Sequence, residues 1–339
     1  MPGLDITSQL IHCQLPVRLD TYRGCSHGCK YCFATRCSRN RHTDFENIEP
    51  LNPLQAIEKF ISGSRTKGTE FIDWNIPLHW GGMSDPFQPA ERKHEASLPV
   101  LKKLSESGYP FVVSTKSTLP MEEPYFSLFK ESNCVLQISM VSEKYDNIEQ
   151  GAPTYKERLK MVDKMATHVK RVVIRVQPYI PEVHGDVARA LKRYKETGAY
   201  GVIFEGMKFT HKPKYKGLVK VGNDICFSED VLKPRFEEMK NLCHENGLVF
   251  LCGENRLRSM SDERCCCGIG GLEGFKGNEA NVMDIIDGVA VSFTESQKKP
   301  GSAACYTVCG QSASYSAHLK GKSYEEETMR IVRREGKIK

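Results

Sequence analysis

Tyr22-Arg23-Gly24-Cys25-Ser26-His27-Gly28-Cys29-Lys30-Tyr31-Cys32-Phe33 sets three cysteines close together directly after an apolar run, residues 17–20, that reads as a β-strand. The thiols therefore fall on the loop at the C-terminal end of that strand, the end where barrel enzymes keep their active sites. Thiolates are the usual ligands of iron–sulfur clusters. A cubane has four irons; three close thiolates hold three of them and leave the fourth open to a small chelating ligand. Gly24 and Gly28 allow the loop to wrap tightly round such a cube. Two other occupants match the same residues. With Cys37, four thiolates would close round a zinc ion, or round an electron-transfer cluster with four cysteine ligands. His27 reads as a solvated loop residue rather than a further ligand.

Working outward, short apolar runs alternate with amphipathic stretches, the signature of repeated βα units. Further strands are expected at residues 77–81, 111–114, 135–140, 172–177 and 201–204, with another at 248–251. Helices are expected at residues 53–61, 94–107, 123–131, 154–170, 185–197 and 229–246. In the fourth of these helices Leu159, Met161, Val162 and Met165 alternate with charged residues at helical spacing. Six or seven such units in series predict an α/β fold, a partial (β/α)6-type TIM barrel over residues 1–250. Beyond it Gly, Cys and Ser dominate, and residues 251–339 read as a small cysteine-rich C-terminal region with a basic tail that frays from Met329.

The chain has 339 residues, enough for one large domain with an appendage. No apolar run of about 18 residues occurs, which argues against a membrane helix. The N-terminal stretch does not read as a secretory signal. Fourteen cysteines without a leader point to a cytoplasmic protein whose clustered thiols bind metal or do chemistry rather than form disulfides. Cys13, Cys134, Cys226 and Cys243 stand alone and read as small buried hydrophobes. The net charge of +6 permits a nucleic-acid partner without requiring one.

The spacing Cys25-x3-Cys29-x2-Cys32, with aromatic Tyr31 before the last cysteine, resembles the hallmark of the radical S-adenosylmethionine (SAM) superfamily. The resemblance extends over most of residues 15–250. It implies a [4Fe–4S] cluster on Cys25, Cys29 and Cys32, with SAM chelated to the open iron. An electron from an external one-electron reductant then cleaves SAM to methionine and a 5′-deoxyadenosyl radical, which abstracts hydrogen from a substrate. The turn His79-Trp80-Gly81-Gly82-Met83-Ser84-Asp85-Pro86 resembles the spore photoproduct lyase-like branch, although Met83 stands where the usual turn has an acid. That branch implies cofactor contacts at Tyr31, Gly81, Gly82 and Ser84, at Lys116 for the SAM carboxylate, at Ser139 for the ribose, and at Arg175 and Gln177 on the fifth strand. The branch's lyase has a hydrogen-donating cysteine where this chain has Gly82, so repair of the spore photoproduct is not the expected reaction.

Six cysteines follow residue 251. Many radical SAM enzymes carry an auxiliary cluster in such a region, which implies a second [4Fe–4S] cluster on Cys252, Cys267, Cys305 and Cys309. Zinc or free thiols are the alternatives. The glycine-rich run from Gly268 to Gly274 reads as a flexible turn near that site. Residues 208–220 contain five lysines with His211, Phe209 and Tyr215 and no acid. Lysines there would neutralise phosphates and the aromatics would stack on bases. The leading expectation is thus a radical SAM enzyme acting on DNA, RNA or a nucleotide. A radical SAM enzyme acting on a peptide or protein is the second, and a non-enzymatic zinc- or iron-binding nucleic-acid module the third.

Overall fold

The computed structural model describes residues 3–6, 13–36, 47–64, 76–209, 213–221, 224–278, 282–286, 288–300, 306–309, 314–317 and 323–335. Eight strands lie side by side in chain order: β1 (Leu4–Ile6), β2 (Val17–Leu19), β3 (Leu78–Trp80), β4 (Phe111–Thr115), β5 (Cys134–Ser139), β6 (Arg171–Tyr179), β7 (Gly201–Gly206) and β8 (Val249–Cys252). From β2 to β8 every pairing is parallel. The connections carry helices α1 (Leu54–Ile61), α2 (Leu98–Ser107), α3 (Tyr125–Glu131), α4 (Tyr155–Met165), α5 (His184–Glu196) and α6 (Glu229–Glu245). The expected partial barrel is therefore present, with six helical crossovers and strand positions within two residues of those read from the sequence.

The reason the reading succeeds is packing. Strands covered on both faces must be apolar throughout, and every residue of β4 and all but the last of β5 are buried. In α4 the buried positions are Tyr155, Arg158, Met161, Val162 and Met165, one stripe of the helix. Thr154 accepts from the Glu157 backbone while Glu157 accepts from that of Thr154, a capping box that fixes where α4 begins.

Four features differ from expectation. β1 adds antiparallel to β2; its three residues are too few to show a period. Part of the lysine-rich stretch is not loop but strand: Lys208–Phe209 and Leu218–Val221 flank Asp224–Phe227 in an antiparallel sheet. The expected boundary at residue 250 falls inside β8, and the chain after it blunts that strand's free edge. There Phe250 N–H donates to Asp262 Oδ2 at 2.8 Å and Cys252 N–H to Ser261 Oγ at 3.1 Å. The tail does not fray from Met329: α7 (Tyr324–Glu335) buries Tyr324, Thr328 and Ile331 on one side. Its start is set by Ser323 and Glu326, which bond each other's backbone N–H at 3.1 and 2.7 Å. No described helix is long and apolar enough to cross a membrane.

Gly81 ends β3 with φ of +87°, and a Cβ there would lie 2.5 Å from the Ser114 carbonyl oxygen. Both the left-handed backbone and the close approach forbid a side chain. Gly81→Ala should destabilise the fold by about 1–3 kcal/mol, the usual range for forced backbone strain. Chemical denaturation checks this: the unfolding midpoint should drop with the slope unchanged.

Candidate active site

The three-cysteine loop follows β2 and is tied down on several sides. Tyr22–Arg23 pairs with Glu49–Pro50 at its start. Ser26 N–H donates to Gln88 Oε1 at 2.6 Å, and Gln88 Nε2 donates to Gly24 O at 3.2 Å. Lys30 N–H donates to Ile148 O at 3.0 Å. Gly28 makes its turn at φ of +62°. Within the loop Cys29 is buried while Cys25 and Cys32 are partly exposed. Cys29 stands within electrostatic reach of both other thiols.

His27 is not solvated. It is 2% exposed, and its Nε2 meets Asp85 Oδ2 at 3.0 Å while Nδ1 meets Gly151 O at 2.9 Å. Its partner Asp85 is the junction of the site. Asp85 also accepts from Lys116 N–H at 2.6 Å, Thr115 Oγ1 at 2.8 Å and Phe87 N–H at 2.9 Å. One carboxylate thus joins the cysteine loop, the turn after β3 and the end of β4. Burial alone would raise its pKa, but the His27 charge and these donors outweigh burial and hold the carboxyl below its usual range.

Beyond the thiols lies a buried charged group. Lys116 Nζ stands 3.7 Å from Glu149 Oε1, and Arg158 Nη2 stands 2.6 Å from Glu149 Oε2. Tyr31 donates its hydroxyl to the same carboxylate, and Lys116 lies over the Tyr31 ring at 5.8 Å. Arg158 also donates to the carbonyl of Ser139 at 2.7 Å. The charges of Lys116 and Arg158 overcome the effect of burial and keep Glu149 below the normal carboxylate range. Tyr31 and Lys116, singled out separately from the sequence, are thereby brought to one carboxylate, and the Ser139 carbonyl is joined to it through Arg158.

The glycine turn sits next to them. Asp20 Oδ1 accepts from Met83 N–H at 3.0 Å and Ser84 N–H at 3.3 Å, while its Oδ2 meets Arg18 Nε at 2.9 Å. Burial pushes Asp20 up to about 6 despite Arg18. Ser84 is buried and donates its hydroxyl to Tyr22 O at 2.8 Å. Inside the barrel Arg175 Nη1 donates to Ser114 Oγ at 2.9 Å and Gln137 Oε1 at 2.7 Å, and Nη2 donates to Gln177 Oε1. His79 faces Ser114 Oγ at 3.3 Å; burial, followed by the charges of Arg175 and Arg18, lowers it to about 3.

The other expectations fall less neatly. Phe209 and Tyr215 are both half-buried. They pack on each other at 5.4 Å and on Phe227 at 5.5 Å. Lys208 pairs with Glu205 at 3.0 Å. Arg330 of the tail is held by Glu327 at 2.6 Å. The Gly268–Gly274 turn is anchored at its start: Arg171 Nη1 donates to Gly268 O at 3.0 Å and Gly270 O at 2.7 Å. Cys252 and Cys267 are buried. Cys37 and Cys305 lie outside the described residues, and of Cys309 only the backbone, in strand Tyr306–Cys309, is described. Among the described residues no three His, Cys, Asp or Glu side chains form a group able to hold a single metal ion. Three thiols on one braced loop supply the ligand type that a cube takes, since it carries its irons outward to separate thiolates.

Asp85, Glu149 and Arg158 were not singled out from the sequence. Asp85 belongs to a quoted motif but had no assigned partner. Glu149 lies in the loop after β5, on the active-site face, and that placement was its only sequence signal.

No protein-family model matches the chain. Uncharacterised proteins of Mycobacterium bovis and Mycobacterium tuberculosis are 24% identical to it over 206 residues, which is 57% of this chain and 59% of theirs. A mutant of spore photoproduct lyase superposes with a TM-score of 0.56 at 15% identity, over 73% of this chain and 78% of that one. A second mutant of that lyase, with bound AdoMet and dinucleoside spore photoproduct, gives 0.52 at 15% identity over 70% and 76%. The open seven-stranded parallel sheet, with the cysteine loop after its first parallel strand, is thus the partial-barrel fold that spore photoproduct lyase has.

Proposed function

We propose that the chain is a radical SAM enzyme that modifies a nucleic-acid base or a nucleotide. The observation that carries the first part is the braced loop presenting Cys25, Cys29 and Cys32 at the C-terminal end of β2, beside the Lys116–Glu149–Tyr31 group. Cys25, Cys29 and Cys32 would hold the [4Fe–4S] cluster. When bound, the cluster supplies an electron, taken from an external reductant, for cleavage of SAM to a 5′-deoxyadenosyl radical. The chain's own residues position and shield. Asp85 fixes the cysteine loop against β3 and β4. Glu149 and Tyr31 hold the Lys116 ammonium beside the thiols, where its remaining donors serve the SAM carboxylate. Gly81 and Gly82 leave backbone open to the SAM amino group, and Ser139 faces the ribose from the end of β5. Arg175 and Gln177, locked to each other, line the barrel interior.

The test is anaerobic reconstitution with iron and sulfide, followed by reductant and SAM, with 5′-deoxyadenosine as the product sought. A brown protein that binds SAM but forms no 5′-deoxyadenosine would sink the reading. Lys116→Ala should weaken SAM binding about 10–100-fold, as when a supporting group is removed from such a site, with the iron content retained. Titration calorimetry checks this, and unchanged affinity would remove Lys116 from the cofactor site.

The substrate class rests on charge. Lys214, Lys216 and Lys220 are exposed beside the small sheet that follows β7, so a phosphate-bearing polymer would find them close to the barrel. Each phosphate deprived of its lysine should flatten the salt dependence of binding by about 0.7–0.9 in the log–log slope. Binding of single- and double-stranded DNA and RNA is to be measured at two salt concentrations. Wild type is compared with the Lys214→Ala/Lys216→Ala/Lys220→Ala variant. Binding that ignores salt in the wild type would favour a peptide substrate instead.

A further inference from the structure

The barrel strands share one irregularity of burial. Arg18 is half-buried between the fully buried Val17 and Leu19 of β2, and His79 between Leu78 and Trp80 of β3. Arg175 and Gln177 are half-buried in β6, Ser139 at the end of β5 and Glu205 in β7, each beside buried neighbours. Alternate residues of a strand face the same side of the sheet. The register sets Arg18 against His79 and Ser139 against Arg175. These side chains therefore share the inner face of the barrel near the C-terminal ends of its strands, and their exposure shows that the interior is open there.

Beneath them is a polar floor. Gln137, wholly buried, donates from Nε2 to Cys267 O at 3.1 Å, which turns its Oε1 towards Ser114 Oγ at 2.8 Å and Arg175 Nη1 at 2.7 Å. Ser114 gives its proton to Gln137 and so accepts from Arg175 Nη1 at 2.9 Å and from His79 Nε2 at 3.3 Å. His79 adds no charge, because burial, then Arg175 and Arg18, lower it to about 3.

Charge on this face does not balance. Arg18 meets Asp20 at 2.9 Å, and Glu205 meets Lys208 at 3.0 Å. Arg175 meets no carboxylate among the described residues; its acceptors are one hydroxyl and two amides. Its Nε–H and one Nη2–H are left without an acceptor among those residues. A guanidinium keeps its proton, and away from bulk water it needs an opposite charge. One held in place with two donors to spare matches a bidentate oxyanion.

We propose that Arg175 binds an oxyanion of the substrate, a phosphate or a carboxylate, inside the barrel. This differs from the cofactor contact that the family resemblance implies for Arg175: Lys116, beside the cysteine loop, serves the SAM carboxylate, and Arg175 selects the substrate. Ser114, Gln137 and Gln177 position the guanidinium. The inference rests on the barrel being the active site of the proposed enzyme and gives its substrate an acidic group.

Equilibrium binding to the full chain, reconstituted anaerobically and saturated with SAM, tests this. Two pairs of probes separate the sources of the anion: a nucleoside 5′-monophosphate against its nucleoside, and N-acetyl-dialanine against its C-terminal amide. In the wild type the charged member of a pair should bind more tightly. Arg175→Gln should weaken that member about 10–100-fold, the usual effect of losing hydrogen bonds to a charged group, and leave the neutral member alone. Arg175→Lys keeps the charge without the fork and should weaken it less. SAM affinity should be the same in all three proteins. If Arg175→Gln fails to fold, Arg175→Lys and the wild-type comparison still decide. Charged and neutral probes that bind alike would overturn the inference. So would anion binding that survives Arg175→Gln, or a loss of SAM affinity in that variant with probe binding unchanged. Preference for the carboxylate alone would uphold Arg175 and sink the nucleic-acid reading, whereas nucleotide binding that ignores Arg175 would do the reverse.

Discussion

Cys29→Ala is expected to lower 5′-deoxyadenosine formation to the level of SAM and reductant without protein. Cys29 is the buried thiol of the three and is within electrostatic reach of both others. The charges of Lys116, Glu149 and Arg158 all act on it. Removing a supporting group from a metal site costs about 10–100-fold, and removing a ligand to the cluster should cost more than that. Cys25→Ala and Cys32→Ala should behave alike. Cys37→Ala should retain the product, since three thiolates leave the iron that SAM needs. Product analysis by liquid chromatography after reconstitution checks all four. Equal loss with Cys37→Ala would instead indicate a closed four-thiolate centre.

The largest effect on stability is expected from Arg158→Leu. The side chain is wholly buried and its Nη2 stands 2.6 Å from Glu149 Oε2. Removing the guanidinium leaves a carboxylate in the interior with only Lys116 and Tyr31 beside it. Breaking one partner of such a pair costs about 3–5 kcal/mol. Replacing both, as in Arg158→Leu/Glu149→Leu, removes the stranded charge and should recover part of that loss. Denaturant midpoints for the two variants make the comparison; a double variant no more stable than the single would mean that the pair is not what holds this region. The pH dependence has a definite sign. Glu149 is held below its ordinary value in the folded chain, so its stabilising contribution is complete above the unfolded carboxylate pKa of about 4.3. It is lost as pH falls through the lower folded value. Wild type should therefore lose stability on acidification below about pH 4 more steeply than the double variant.

The barrel was legible from residue order because parallel strands buried on both faces read as apolar runs and their helices as stripes of period 3.6. β4 and α4 are the clearest cases. The cysteine loop was equally legible, since its three thiols are neighbours in sequence. Both signals are local. What sequence could not show was which distant groups share one buried charge. His27 read as a solvated loop residue and is instead clamped by Asp85, 58 residues on. Tyr31, Lys116 and Arg158 lie on three separate segments and meet at Glu149. Cys13 looked solitary, yet the charges of Arg258 and Cys266, far along the chain, act on it. Burying a charge or a hydrogen-bonding group demands a partner. The fold is free to draw that partner from anywhere in the chain, so the motif and the barrel were written in the sequence, while the pairings that tune the site were decided by tertiary structure.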